Sequence, residues 1–182
     1  GIELLSEMKG TVDKEVLDLI TRSANLTLVR LKFFRLAFGL LATNTNTNWE
    51  QCYHTIESYG LEYSTTLSWQ SHKYSGNLSD VEAKLLLNLF HIAITCLNGG
   101  GNMSIEISPK GLAEKLKIIV GGKICNIKKP IYLAATKEQK LEDISPREVT
   151  AYLARLHAKG LNRAIQINDD QNNQITFEII SL

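Results

Sequence analysis

The sequence has little of what marks a specialised chain. Its three cysteines (Cys52, Cys96, Cys125) are odd in number, far apart and without CxxC spacing. That pattern argues against a disulfide framework and a zinc site, and it fits a reducing compartment. Charge imbalance is also missing: 20 Lys+Arg against 19 Asp+Glu leave a net charge of +1. No global field therefore draws the chain to nucleic acid or to an anionic membrane, and no local cluster of the nucleic-acid-binding kind replaces it. No apolar run approaches the roughly 20 residues that cross a bilayer, and no signal-peptide core opens the chain, so a soluble cytoplasmic protein is expected. What remains, 44% hydrophobic and 21% charged residues over 182 positions, is the composition of a globular domain and sets aside collagen-like and disordered chains.

Ile2, Leu4 and Leu5 read as the end of a helix already under way, because no capping residue precedes them. After a break at Lys9-Gly10-Thr11, residues Asp13 to Leu41 run without proline, and without glycine until Gly39. Within them Leu17, Ile20, Ala24, Thr27, Leu31, Phe34, Phe38 and Leu41 alternate in steps of three and four, the seam of a long helix packed at coiled-coil angles. A second stripe, Val16, Leu19, Leu26, Phe33, Ala37 and Leu40, widens the apolar face beyond what one partner helix covers. A helix of this kind belongs in a bundle, and a homodimer through residues 13–41 is expected.

Thr43 to Asn48 is a polar linker ending in a cap for the next helix, which divides the chain into an incomplete helical hairpin (1–43) and a second domain (44–182). The second domain reads as a helix from Trp49 to Ser58, a strand around Tyr63 to Gln70, and a helix from Ser79 to Leu97. The turn Asn98 to Gly101 leads into strands near Met103 to Ser108 and Lys115 to Val120. A less regular stretch from Gly121 to Ile144 precedes a helix from Pro146 to Ala158 capped by Ser145. A hairpin of Leu161 to Ile167 and Gln174 to Ile180 closes the chain. The order predicts an α+β fold, with helices on one face of a mixed sheet.

Three segments carry a family resemblance: Arg30-Leu31-Lys32-Phe33-Phe34-Arg35-Leu36-Ala37-Phe38-Gly39 after the helix end Gly1 to Leu5, then Leu86 to Ala93 with its glycine turn, and Tyr152 to Leu156 before the hairpin. Together they resemble the alphaproteobacterial ChpT-type histidine phosphotransferases over essentially the whole chain. The resemblance implies a hairpin that dimerises into a four-helix bundle, followed by a degenerate ATPase-like sandwich of the histidine-kinase type. It also implies a phosphorelay that takes a phosphoryl group from the receiver domain of a CckA-like hybrid kinase and gives it to CtrA- or CpdR-like response regulators. The family's phosphoacceptor histidine lies on the first hairpin helix, upstream of the position matching Gly1, so no catalytic residue is expected in these residues. No cofactor is expected on the chain itself, the magnesium belonging to the receiver.

If that histidine sits roughly 20 residues before the hairpin turn, a rise of ~1.5 Å per residue sets it ~30 Å along the bundle, level with Lys32 to Arg35. With the resemblance, this makes Arg30, Lys32, Phe33, Phe34, Arg35 and Phe38 the expected border where a receiver docks. Cations there would steer an acidic receiver and offset charge on the transferring group. The plainer alternative makes Lys32 and Arg35 the solvated side of an amphipathic helix and Phe33 part of the core.

ATP-binding histidine kinases carry two asparagines four apart on a helix, the second holding magnesium. Here the first corresponds to Asn88 and the second position is Ile92, which cannot ligate a hard cation. The expected Asp-x-Gly-x-Gly loop is replaced by Gly121-Gly122-Lys123-Ile124, which lacks the adenine-reading aspartate and also the GxxxxGK[ST] frame of a phosphate loop. ATP hydrolysis and autokinase activity are therefore not expected, and Asn88, Ile92 and Gly121 mark a degenerate nucleotide site. None of the four histidines (His54, His72, His91, His157) matches the family's acceptor, and His91 reads as part of a polar helix face with Lys84, Asn88 and Thr95. Two other functions stay open: a non-catalytic dimeric scaffold and, against Ile92, an active histidine kinase.

Overall fold

A computed structural model describes residues 14–39, 47–69, 77–170 and 172–182. Helix α1 (Lys14–Phe38) is followed by a two-residue strand β1 (Thr47–Asn48), helix α2 (Trp49–Glu62) and strand β2 (Thr65–Trp69). Strand β3 (Asn77–Leu78), helix α3 (Asp80–Thr95) and strands β4 (Gly101–Ser108) and β5 (Gly111–Gly121) come next. Helices α4 (Lys129–Thr136) and α5 (Val149–Gly160) precede the closing strands β6 (Arg163–Asp169) and β7 (Gln174–Ser181). The expected boundary at 43/44 lies outside the described residues, as do Gly1 to Leu5.

The main sheet has the order β2-β4-β5-β7-β6, with β2 and β4 parallel and every other neighbour antiparallel. Its strands alternate as a one-sided sheet must. Met103, Ile105 and Ile107, then Leu112, Leu116, Ile118 and Val120, and then Ile175, Phe177 and Ile179 are buried towards the helices. The opposite face carries charged pairs in register, such as Lys117 beside Glu178, and Lys115 with its ammonium 2.7 Å from Glu106. Each buried Ile, Leu or Phe side chain contributes about 1.5–3 kcal/mol to this layer. β1 and β3 form a separate antiparallel pair.

At the centre lies α3. Leu85, Leu86, Leu87, Leu89 and Phe90 are all fully buried, so the helix is apolar over most of its circumference, apart from the stripe of Lys84, Asn88, His91 and Thr95. Its start is fixed by a reciprocal cap: Ser79 Oγ accepts from the Glu82 N–H at 3.3 Å, and the Glu82 carboxylate accepts from the Ser79 N–H at 2.9 Å. The turn after α3 brings two chain segments into backbone contact. A Cβ on Gly101 would lie 2.3 Å from the Gly121 carbonyl oxygen, so only glycine fits where β4 begins beside the end of β5.

Three features differ from the sequence expectation. The stretch expected to be irregular contains α4, whose Pro130 sits in the first turn and whose Ala134 and Ala135 are fully buried. The last helix begins at Val149 and not Pro146: residues Pro146 to Glu148 form a turn closed by the Glu148 N–H to Ser145 carbonyl bond of 2.9 Å. Asn48, expected to cap α2, belongs with Thr47 to β1.

Candidate functional site

The docking border expected from the sequence lies on α1, and the structure shows how α1 is held. Phe33 is fully buried and stacks on Tyr59 of α2, with ring centroids 4.0 Å apart and planes 16° apart. Phe90 and His91 of α3 lie about it at 6.1 and 6.0 Å. The Tyr59 hydroxyl meets the Tyr63 hydroxyl at 3.1 Å and His91 Nδ1 at 3.2 Å. Burial pushes the Tyr59 phenol above its ordinary range and the His91 imidazole below its own, so both stay neutral near pH 7. Further along, Asn88 Nδ2 donates to the Ala37 carbonyl at 3.4 Å and to the Lys84 carbonyl at 2.7 Å. Arg30 Nε lies 2.8 Å from Glu62 Oε2, a bond that raises the guanidinium pKa, and the Glu62 side chain is almost wholly buried.

The basic residues of α1 therefore separate. Arg30 is held by Glu62, whereas Lys32 and Arg35 are exposed and enter no ion pair among the described residues. Both line a groove of about 570 Å³ between α1 and α2, with Val29 and Leu36 on the α1 side and Gln51, His54, Thr55 and Ser58 on the α2 side. His54 reaches this groove although no spacing in the sequence links it to α1. Only the packing of the two helices brings it there.

The aromatic members divide as well. Phe33 is core, Phe34 is half-buried against His91, and Phe38 stacks on Phe34 at 5.8 Å while remaining 42% exposed. Phe38 continues an open apolar stripe that includes Leu17, Leu28 and Leu31. Of the two apolar stripes read from the sequence, the one through Leu17, Leu31 and Phe38 is open. The other is open at Leu19 and Leu26 and buried at Phe33 and Ala37; Leu40 and Leu41, which end the two stripes, lie outside the described residues.

Of the three positions of the expected nucleotide site, Asn88 and Ile92 lie one turn apart on α3, and Gly121 lies at the end of β5. Ile92 lines a cleft of about 440 Å³ bounded by α3, the approach to α4 and the start of α5. Asn88 faces α1, its Oδ1 buried without a partner. Gly121 ends β5, paired with Asn102 and Gln174. His91 is more than part of a polar helix face, because its ring touches Phe33, Phe34 and Tyr59 while also lining the cleft. His157 is partly buried and its pKa is lowered by burial, with Lys84 adding to the effect. His72 lies outside the described residues. Among the described residues no three His, Cys, Asp or Glu side chains converge as a metal site, and no helix is long and apolar enough to cross a membrane.

A long α1 packed on α2 and α3, beside helices that layer one face of a mixed sheet, is a histidine-kinase-like architecture. The histidine kinase domain of the blue-light activated kinase EL346 from Erythrobacter litoralis matches with a TM-score of 0.53 at 11% identity, covering 98% of this chain and 90% of that one. A solved bacterial phosphotransferase matches with a TM-score of 0.81 at 23% identity, over 98% of this chain and 84% of that one. Likeness at such identities speaks for the fold alone. In sequence, the chain is 24% identical to the protein phosphotransferase ChpT of Brucella abortus (strain 2308) over 169 residues, 92% of this chain and 79% of that protein. The family model described as the histidine phosphotransferase C-terminal domain matches residues 56–173. The chain belongs to that family.

Proposed function

We propose that this chain is the relay component of a multistep phosphorelay, passing a phosphoryl group from a hybrid kinase's receiver domain to response regulators without using ATP. Membership of the histidine phosphotransferase family supports the class of chemistry. The observation that carries the reading is the groove in which Lys32 and Arg35 stand exposed beside His54, next to the open apolar stripe of α1. A receiver presents an acidic pocket around its phosphorylated aspartate, and two exposed cations at a groove steer such a surface by charge.

In the forward step a neutral imidazole nitrogen attacks the phosphorus of the receiver's acyl phosphate. The P–N bond forms as the P–O bond to the aspartate breaks, and the carboxylate leaves. Reversal onto a second receiver's aspartate regenerates the imidazole. On the family's pattern the acceptor imidazole would stand on the first hairpin helix, upstream of the position matching Gly1, and a magnesium ion held by the receiver would offset charge on the transferring group. The stripe through Leu17, Leu31 and Phe38 is the surface on which that helix and a second copy of the chain pack, giving a homodimer.

The test is transfer from a phosphorylated receiver, in the absence of nucleotide, to a chain extended upstream through a complete hairpin. The extended chain is expected to acquire an acid-labile phosphoryl group and pass it to a second receiver, while residues 1–182 alone stay unlabelled. Labelling of the 182-residue chain, at His54 or elsewhere, would overturn the assignment of the acceptor. Labelling that requires ATP would make the protein a kinase.

A further inference from the structure

The cleft of about 440 Å³ beside α3 has no part in the phosphotransfer reading, and its lining is chemically two-sided. Ile92, Ile127 and Ile131 supply apolar surface, and His91, neutral through burial, forms a wall. Lys128 and Arg147 also line it; both are exposed and in no ion pair among the described residues. The acidic group in the lining, Glu148, is already engaged. Its carboxylate accepts the Ser145 N–H at 2.9 Å, and contact with Ser145 holds it below the usual carboxylate range. The cleft therefore combines an apolar interior with two uncommitted cations, at a volume within the range of small-molecule sites.

We propose that this cleft binds a small amphipathic monoanion, an aliphatic or aromatic body ending in one acidic group. The apolar part lies against the isoleucines, and the acidic group is held by Lys128 and Arg147. A metal-bound triphosphate suits the lining poorly. Ile92 offers no oxygen donor, and the one carboxylate in the lining, Glu148, is engaged by the Ser145 N–H. The proposal does not depend on the phosphotransfer reading and survives its failure.

The test uses the 182-residue chain with octanoate and octan-1-ol, which share a body and differ in the acidic group, measured by calorimetry and by the ring resonances of His91. Octanoate is expected to bind about tenfold tighter than octanol, as two partly solvated charge contacts allow, and to shift the His91 signals. The double substitution K128Q/R147Q, at exposed positions, is expected to bring octanoate down to the octanol level with an unchanged circular dichroism spectrum and Tm. Equal affinity for the two probes, no binding of either, or retained octanoate preference in the double variant would overturn the proposal. Displacement of octanoate by magnesium ATP at lower concentration than octanoate itself requires would overturn it in favour of a nucleotide site.

Discussion

Asn88 of α3 donates its side-chain amide to the backbone carbonyl of Ala37, joining the centre of the sheet domain to the last turn of α1. The residue whose sequence context suggests a remnant of nucleotide binding acts in this fold as a tie to α1. Asn88→Ala is expected to cost about 1 kcal/mol and to raise hydrogen exchange in the last turns of α1. Any affinity for nucleotide should stay as it was. Unchanged protection of the amides around Ala37 would show that the tie carries no weight.

Phe33 and Phe38 lie five residues apart on α1 and differ in what they touch. Phe33→Ala removes a fully buried ring stacked on Tyr59, and a loss of about 3–5 kcal/mol is expected from urea unfolding. Phe38→Ala removes a ring that is 42% exposed and should cost no more than about 1 kcal/mol in a monomer. Equal losses at the two sites would contradict the packing described for α1.

His91 makes stability depend on pH in a defined direction. Burial lowers its folded-state pKa, so the unfolded chain takes up a proton first as pH falls through about 6.5, the unperturbed imidazole value. The unfolded state then binds more protons than the folded one, and stability drops with falling pH until the folded-state pKa is reached. His157, also lowered by burial, adds in the same sense. Urea midpoints should be flat from pH 8 to about 7 and fall below about 6.5. H91F should reduce the fall, whereas a slope unchanged in both H91F and H157Q would place its origin elsewhere.

Gly101→Ala pushes a methyl group against the Gly121 carbonyl and should cost about 1–3 kcal/mol. At Gly99, where a Cβ would meet nothing within 4 Å, alanine should cost about 1–2 kcal/mol, from its positive φ alone. Differential scanning calorimetry of the two variants compares them. A G101A protein as stable as wild type would mean that β4 and β5 can separate at this end without penalty.

The sequence made the long elements legible and left the short and interlocking ones obscure. α1 and α3 show themselves by sustained apolar spacing, and β6 and β7 by alternation around polar turn residues. Eight-residue α4 is too short for a periodic signal, and its stability comes from packing on α5 and β6. β1 and β3, two residues each, exist only by pairing with one another. For the site, Lys32 and Arg35 could be placed on an α1 face by spacing alone. The commitment of Arg30 to Glu62, the approach of His54, and the turn of Asn88 towards Ala37 join residues 18 to 51 positions apart in the chain, which no local pattern encodes.

In the proposed relay the open cations of the α1–α2 groove receive a phosphorylated receiver. The most direct measurement is the rate of phosphoryl transfer from a receiver to the hairpin-complete protein carrying K32E/R35E, beside the wild type, with Tm recorded for both. Charge reversal should slow transfer by about 10-fold or more through the loss of steering, with the slowing reduced at high salt and stability within about 0.5 kcal/mol of wild type. A variant that transfers at the wild-type rate at low salt would contradict the assignment of this groove as the docking surface.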